Sequence, residues 1–213
     1  MDTELKIPKF RATGRLVKFV REHFSGIGAK RLPEDREEVF FTSKESDIKI
    51  AVNLVDYSMR VGPMPPRFEK LLLGKPELVV RYAHILQTRY ETNLSEELAD
   101  SLLGNSKELV AYAGVVGRLP KHLEDSLREP RYCLSYAKNI LESRLPKHLE
   151  DVFLGDAYYS SQYALKVIRG FASARLPDSL HNFMVMKSFE DPGDEDIKEY
   201  MEAAASDPNK YQS

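Results

Sequence analysis

Apolar positions along the chain fall at helical spacing in a short stretch followed by a long one, and this alternation repeats. The repetition is clearest on a proline column. Arg-Leu-Pro occurs at 31–33, 118–120, 144–146 and 175–177, and two copies extend to Arg-Leu-Pro-Lys-His-Leu-Glu-Asp at 118–125 and 144–151. Anchored on Pro33, Pro65, Ser95, Pro120, Pro146 and Pro177, successive segments are 32, 30, 25, 26 and 31 residues apart. Self-similarity at such a period predicts stacked helical units. Proline has its backbone angle preset for a helix start and lacks an amide that would go unpaired there; serine is a capping residue.

Each anchor opens a first helix. Apolar residues stand at anchor +3 (Phe68, Leu98, Leu123, Leu149, Leu180) and again at +6 to +8 (Val39-Phe40-Phe41, Leu71-Leu72-Leu73, Leu102-Leu103, Leu127, Val152-Phe153-Leu154, Phe183-Met184-Val185). That spacing predicts one apolar face, with the acids Glu37-Glu38, Glu69, Asp100, Glu124-Asp125 and Glu150-Asp151 on the other. The first segment departs, with Arg36 at +3. Gly74, Gly104 and Gly155 at +9 suit a left-handed helix end. Pro76, Ser106, Pro130 and Asp156 then start a longer second helix with a Tyr-Ala pair: Tyr82-Ala83, Tyr112-Ala113, Tyr136-Ala137 and Tyr163-Ala164, with Ile50-Ala51 in the first segment. Small alanines let helices approach, and Leu54, Leu86, Val116, Ile140 and Val167 follow them into the core. Arg60, Arg89, Arg118, Arg144 and Arg169 are expected to close these helices at their negative ends.

The fold class this pattern predicts is all-α: a right-handed α-solenoid of about five to six helical-hairpin repeats with capping helices at both ends. Residues 1–30 form a basic capping segment whose helix carries Leu16, Val17, Phe19, Val20 and Phe24 and ends at Gly26 and Gly28. Residues 31–188 are the repeat array, and 189–213 an acidic capping helix over about 195–205 with a disordered tail beyond 206.

Arg131-Tyr132-Cys133-Leu134-Ser135-Tyr136-Ala137 and Gly117-Arg118-Leu119-Pro120 resemble the short helical tandem repeats of many uncharacterised tailed-bacteriophage proteins. In that group an aromatic Tyr-x-Tyr-Ala helix runs into a Gly-Arg-Trp/Leu-Pro turn. The resemblance covers roughly residues 31–180 and departs in having no tryptophan and in its uneven segment length. It implies a helical-repeat fold and a viral origin, but no shared activity. The segments are shorter than the roughly 34-residue tetratricopeptide unit.

Composition narrows the function classes. The 213 residues carry a net charge of -2, so the molecule as a whole is no polycation. Residues 1–32 nevertheless hold eight Lys or Arg against three acids, and 189–213 hold eight acids against two Lys. One cysteine, Cys133, cannot form an internal disulfide. The N-terminus shows no apolar leader, and no apolar run reaches membrane-spanning length. The expectation is a cytoplasmic protein without membrane contact, in a host cytoplasm if the origin is viral.

Candidate chemistry is sparse. His122 and His148 occupy equivalent places, but no metal-ligand motif accompanies them, and no metal or cofactor is expected. Cys133 aligns with Val79 and Leu109, which predicts a core thiol rather than a nucleophile. No phosphate-cradling glycine loop is present. The acidic run at 191–196 lacks the alternating ligands of a calcium loop. The tyrosine column has two readings. Packed between units it is core, the favoured reading; on a concave surface it is an aromatic ladder. On the second reading the binding residues are Tyr82, Tyr112, Tyr136 and Tyr163 with Arg81, His84, Lys138 and Lys166.

The leading expectation is a non-enzymatic protein that binds a protein partner through the solenoid surface, as a phage-encoded modulator or inhibitor of a host protein. The alternative is a binder of single-stranded nucleic acid, with Lys6, Lys9, Arg11, Arg15, Lys18 and Arg21 as the phosphate contacts. An enzyme on a helical scaffold is a second alternative, with no catalytic residues to name.

Overall fold

The computed structural model describes residues 7–24, 31–168 and 177–206, and these are all-helical; no strand occurs among them. Gly26, Gly28, Arg169, Arg175-Leu176 and the tail beyond 206 lie outside the described residues. The three-part division above follows charge and pattern; its boundary at 188 falls inside a helix. By packing, the chain forms two compact units, residues 1–102 and 103–213.

The first unit opens with α1 (Thr13–His23), followed by the short helices α2 (Glu34–Glu37) and α3 (Val39–Thr42) and the long α4 (Asp47–Val61). Next come α5 (Pro66–Glu69), continued by a 3-10 turn over Lys70–Leu72, then α6 (Pro76–Tyr90) and α7 (Glu96–Asp100). Helix α1 packs on α4, and α4 on α6. Leu16, Val20, Phe40, Leu54, Val55, Phe68 and Leu72 are buried there.

The second unit holds α8 (Ser106–Val116), α9 (Lys121–Glu124) and α10 (Pro130–Tyr136), which loosens into a π-helical turn over Ala137–Leu141. It continues through α11 (Lys147–Glu150) with a 3-10 turn at Asp151–Phe153, then α12 (Ala157–Tyr163) with a second π-helical turn over Ala164–Ile168. Helices α13 (Asp178–Glu190) and α14 (Glu195–Ser206) complete it. The long helices pack in succession, α8 on α10, α10 on α12, and α12 on both α13 and α14.

The expected short-then-long alternation is present through α12, with first helices of only one turn; after Pro177 the first helix, α13, is instead 13 residues long. Gly74, Gly104 and Gly155 have φ of 72°, 78° and 101°, so they end the short helices in the left-handed region that a side chain disfavours. Three details differ from the sequence expectation. The apolar residues at +6 to +8 do not share a face, because consecutive helical residues point about 100° apart. Position +7 is the core position (Phe40, Leu72, Leu102, Leu127, Phe153, Met184), whereas Phe41, Leu103 and Leu154 at +8 are exposed. In the first segment the buried tyrosine is Tyr57, followed by buried Ser58, two turns later than Ile50-Ala51. The extra turns of α4 receive α1. Arg118 and Arg144 lie in the connectors beyond the helix ends rather than in the last turn.

The start of α1 is held by one carboxylate. Glu45 Oε2 accepts from the backbone N–H and the hydroxyl of Thr13, both at 2.6 Å, and Asn53 Nδ2 donates to the same hydroxyl oxygen at 2.7 Å. Lys49 adds an ion pair to Glu45 at 2.9 Å, and Ser43 a hydroxyl at 3.1 Å. Burial acts to raise the Glu45 pKa, but the hydrogen bonds from Thr13, Lys49 and Ser43 together outweigh it and bring the value from 4.5 to about 2. A depressed carboxylate stabilises the fold above its unfolded pKa and loses that contribution as pH falls through the folded value. Glu45→Gln is expected to cost about 1–3 kcal/mol at pH 7. Urea unfolding at pH 7, 4 and 2 should show the gap between variant and parent closing as the pH falls below 4.5; a gap independent of pH would refute this role.

Candidate interaction surface

The acids at anchor +4 are the residues that sequence reasoning misplaced. Glu37, Glu69, Glu124 and Glu150 are buried, not solvent-facing. A buried carboxylate is costly unless its charge is hydrogen-bonded and paired, and each of these meets the tyrosine of its own segment. The hydroxyls of Tyr57, Tyr82, Tyr136 and Tyr163 donate to Glu37, Glu69, Glu124 and Glu150 at 2.5, 3.3, 2.9 and 2.7 Å. Each hydroxyl oxygen also accepts a backbone N–H from the residue before the anchor: Leu32, Met64, Leu119 and Leu145 at 3.2, 2.8, 3.2 and 2.9 Å. The arginine of Arg-Leu-Pro supplies the countercharge. Arg144 forks onto Glu150 through Nε at 2.6 Å and Nη2 at 2.9 Å, and Arg31 holds Glu37 through Nε at 3.1 Å and Nη2 at 2.5 Å.

The clasp therefore gives each residue of the motif a task. Arginine neutralises the carboxylate, the leucine amide reaches the tyrosine, the leucine side chain is buried, and proline starts the helix. Where Pro63 replaces the arginine, the Ser95 hydroxyl donates to Glu69 at 2.5 Å, so Ser95 is spent on this carboxylate rather than on a helix cap. The third segment has Ala99 at +4, and in the last His181 stands there, with Nδ1 2.6 Å from the Tyr200 hydroxyl. Burial, then the adjacent carboxylate, pushes the tyrosine hydroxyls up; Tyr136 rises to about 12, with the Leu119 amide opposing.

The tyrosine column is thus core. Tyr82, Tyr112, Tyr136 and Tyr163 are buried, and the aromatic-ladder reading is corrected: the rings present no face to a ligand. The accompanying Arg81, His84, Lys138 and Lys166 are exposed, and Arg81 pairs with Asp56 at 2.6 Å. On and before α1, Lys9, Arg11, Arg15, Lys18 and Arg21 are exposed, with Lys18 3.7 Å from Glu22; Lys6 lies outside the described residues. His148 Nε2 lies 2.7 Å from Asp125 Oδ1, so the two copies of the eight-residue motif meet at this pair. Among the described residues no group of three His, Cys, Asp or Glu side chains could hold a metal, and no helix is long and apolar enough to cross a membrane. Cys133 is buried as expected, and burial raises its thiol to about 12.

What the surface does carry is apolar. Position +8 is exposed in Phe41, Leu103 and Leu154 and half-exposed in Leu73, each just before the segment's glycine or, for Phe41, the end of α3. On α13, Met186 and Phe189 are exposed, Phe189 to 82%, opposite the buried Leu180 and Met184. Comparison with family models, curated proteins and solved structures finds no match to this chain.

Two tests follow from the clasp and the thiol. Tyr163→Phe leaves the Leu145 amide and Glu150 short of a partner and is expected to cost about 1–3 kcal/mol; Glu150→Ala, which removes the acceptor of both Tyr163 and the partly exposed Arg144, about 1–3 kcal/mol as well. Urea denaturation of both, and of the double variant, should give a total smaller than the sum; two effects under about 0.5 kcal/mol would refute the clasp. Native Cys133 should resist a thiol reagent, with labelling rising only as the fold opens in denaturant; immediate labelling of the native protein would contradict its placement.

Proposed function

We propose that this chain is a non-enzymatic helical-repeat protein whose hairpins stack as a right-handed α-solenoid and whose surface binds a partner protein. The observation that carries the reading is the division of labour within each segment. The recurring polar groups (tyrosine, glutamate and arginine) are consumed inside, while an apolar side chain recurs outside at +8. A single exposed apolar residue is ordinary; recurring at one structural position in four segments (Phe41, Leu73, Leu103 and Leu154), it suits a partner surface. The likeness of the segments to phage tandem repeats supports a phage-encoded protein acting on a host protein in the host cytoplasm.

A second reading, binding of single-stranded nucleic acid, is favoured by the exposed cations of the α1 region (Lys9, Arg11, Arg15, Lys18 and Arg21). Burial of the tyrosines removes the stacking platform on which that reading also relied.

The test is an affinity capture from bacterial lysate with the tagged full chain and with a Leu103→Asp/Leu154→Asp variant, each with and without nuclease. One dominant protein, retained after nuclease and lost from the variant while its helicity and melting temperature hold, is the expected result. Capture abolished by nuclease or by moderate salt would favour the nucleic-acid reading. Turnover of a substrate by the purified protein would overturn a non-enzymatic role.

A further inference from the structure

The two copies of Arg-Leu-Pro-Lys-His-Leu-Glu-Asp are identical in sequence and unequal in structure. In the second copy Arg144 commits its guanidinium to Glu150 through two nitrogens, and its side chain is 35% exposed. In the first copy Arg118 approaches Glu124 only through Nε, at 3.5 Å, and its side chain is 68% exposed. Glu124 is still satisfied by the Tyr136 hydroxyl at 2.9 Å. Among the described residues Arg118 has no other carboxylate partner, so its guanidinium retains N–H donors, and the chain places it beside a cavity.

That cavity, of about 380 Å³, is lined by Arg118, Leu119, Lys121, Glu124, Pro146 and His148. Lys121 is exposed, and among the described residues no ion pair engages it. His148, also in the lining, has its Nε2 2.7 Å from Asp125 Oδ1. Glu124, the one acid among the lining residues, is buried and already accepts a hydroxyl, so the exposed charges of the lining are those of Arg118 and Lys121, with Asp125 paired to His148. An arginine fork beside a lysine point charge is the donor set that suits a tetrahedral oxyanion: the fork binds two oxygens together, and the ammonium takes a third. The volume exceeds a bare phosphate and leaves room for the group that carries it.

We propose that the cavity bounded by Arg118, Lys121 and His148 is a binding site for a phosphate monoester. The fork of Arg118 and the Lys121 ammonium hold the phosphate oxygens, and the Pro146–His148 wall contacts the carrier. The site is separate from the apolar +8 positions and does not rest on the protein-binding reading. The same chemistry is offered by a small phosphorylated molecule and by a phosphorylated side chain, so both enter the test.

The experiment is a titration of the full-length ¹⁵N-labelled protein at constant ionic strength with inorganic phosphate, then with AMP and with N-acetylphosphoserine amide, and with chloride as control. The expected result is a saturable shift of amides in 118–124 and 146–149, with one ester binding more tightly than phosphate and so naming the carrier. Lys121→Gln, which leaves the Glu124 clasp intact, should weaken binding about tenfold, as loss of one charge-assisted contact does. Arg118→Gln/Lys121→Gln should abolish it with the rest of the spectrum unchanged, and Lys138→Gln/Lys166→Gln should leave it intact. Shifts that chloride reproduces, that never saturate, or that persist in the Arg118/Lys121 double variant would overturn the site.

Discussion

A buried carboxylate dominates the design of this chain. Placing Glu37, Glu69, Glu124 or Glu150 out of water costs several kcal/mol unless the charge is hydrogen-bonded or paired. Four segments meet that demand with a tyrosine hydroxyl from the long helix, itself held by a backbone amide of the connector, and three of them add a further donor to the carboxylate, an arginine for Glu37 and Glu150 and Ser95 for Glu69. The cluster is a constraint on geometry as much as a source of stability. The short helix, the connector before it and the long helix after it must meet at one point, whatever the length of chain between them. That explains how the clasped segments, 26 to 32 residues long, retain one local structure, and why Tyr57 serves two turns later than its counterparts: what matters is where the hydroxyl arrives, not how many residues precede it.

The remaining local rules are backbone rules. One-turn helices are too short to stand alone; proline or Ser95 marks their starts, and a left-handed glycine closes those before Gly74, Gly104 and Gly155. The long helices carry the packing, with α4 on α6 in the first compact unit and α8, α10 and α12 in succession in the second. Because +7 is driven into this core, +8 is turned outward and its apolar side chains are left for something else to cover.

These two consequences frame the functional reading. The polar chemistry that looked available in the sequence is internal, and the tyrosines are ruled out as a ligand platform by their burial. The surface offers exposed apolar positions, a basic helix at α1 and, where one arginine is released from its clasp, a cationic cavity. The contrast between Arg118 and Arg144 shows how a duplicated motif acquires a difference without a change of sequence: the neighbours of each copy differ, so the same guanidinium is bound in one and available in the other.

What the sequence determined by itself was everything governed by residues close along the chain. Proline starts, left-handed glycines at +9, alternating short and long helices and the buried place of Cys133 all follow from local sterics and from the 3.6-residue period. Tertiary structure alone decided the rest. A glutamate reads as solvent-facing in any pattern, and only a tyrosine and an arginine arriving from other elements make its burial affordable. The recurrence of glutamate at +4 was a visible signal, but its meaning depended on the partner hydroxyl. The outward turn of +8, the shifted place of Tyr57 and the release of Arg118 likewise depend on which surfaces meet, a property of the packed chain and not of any segment within it.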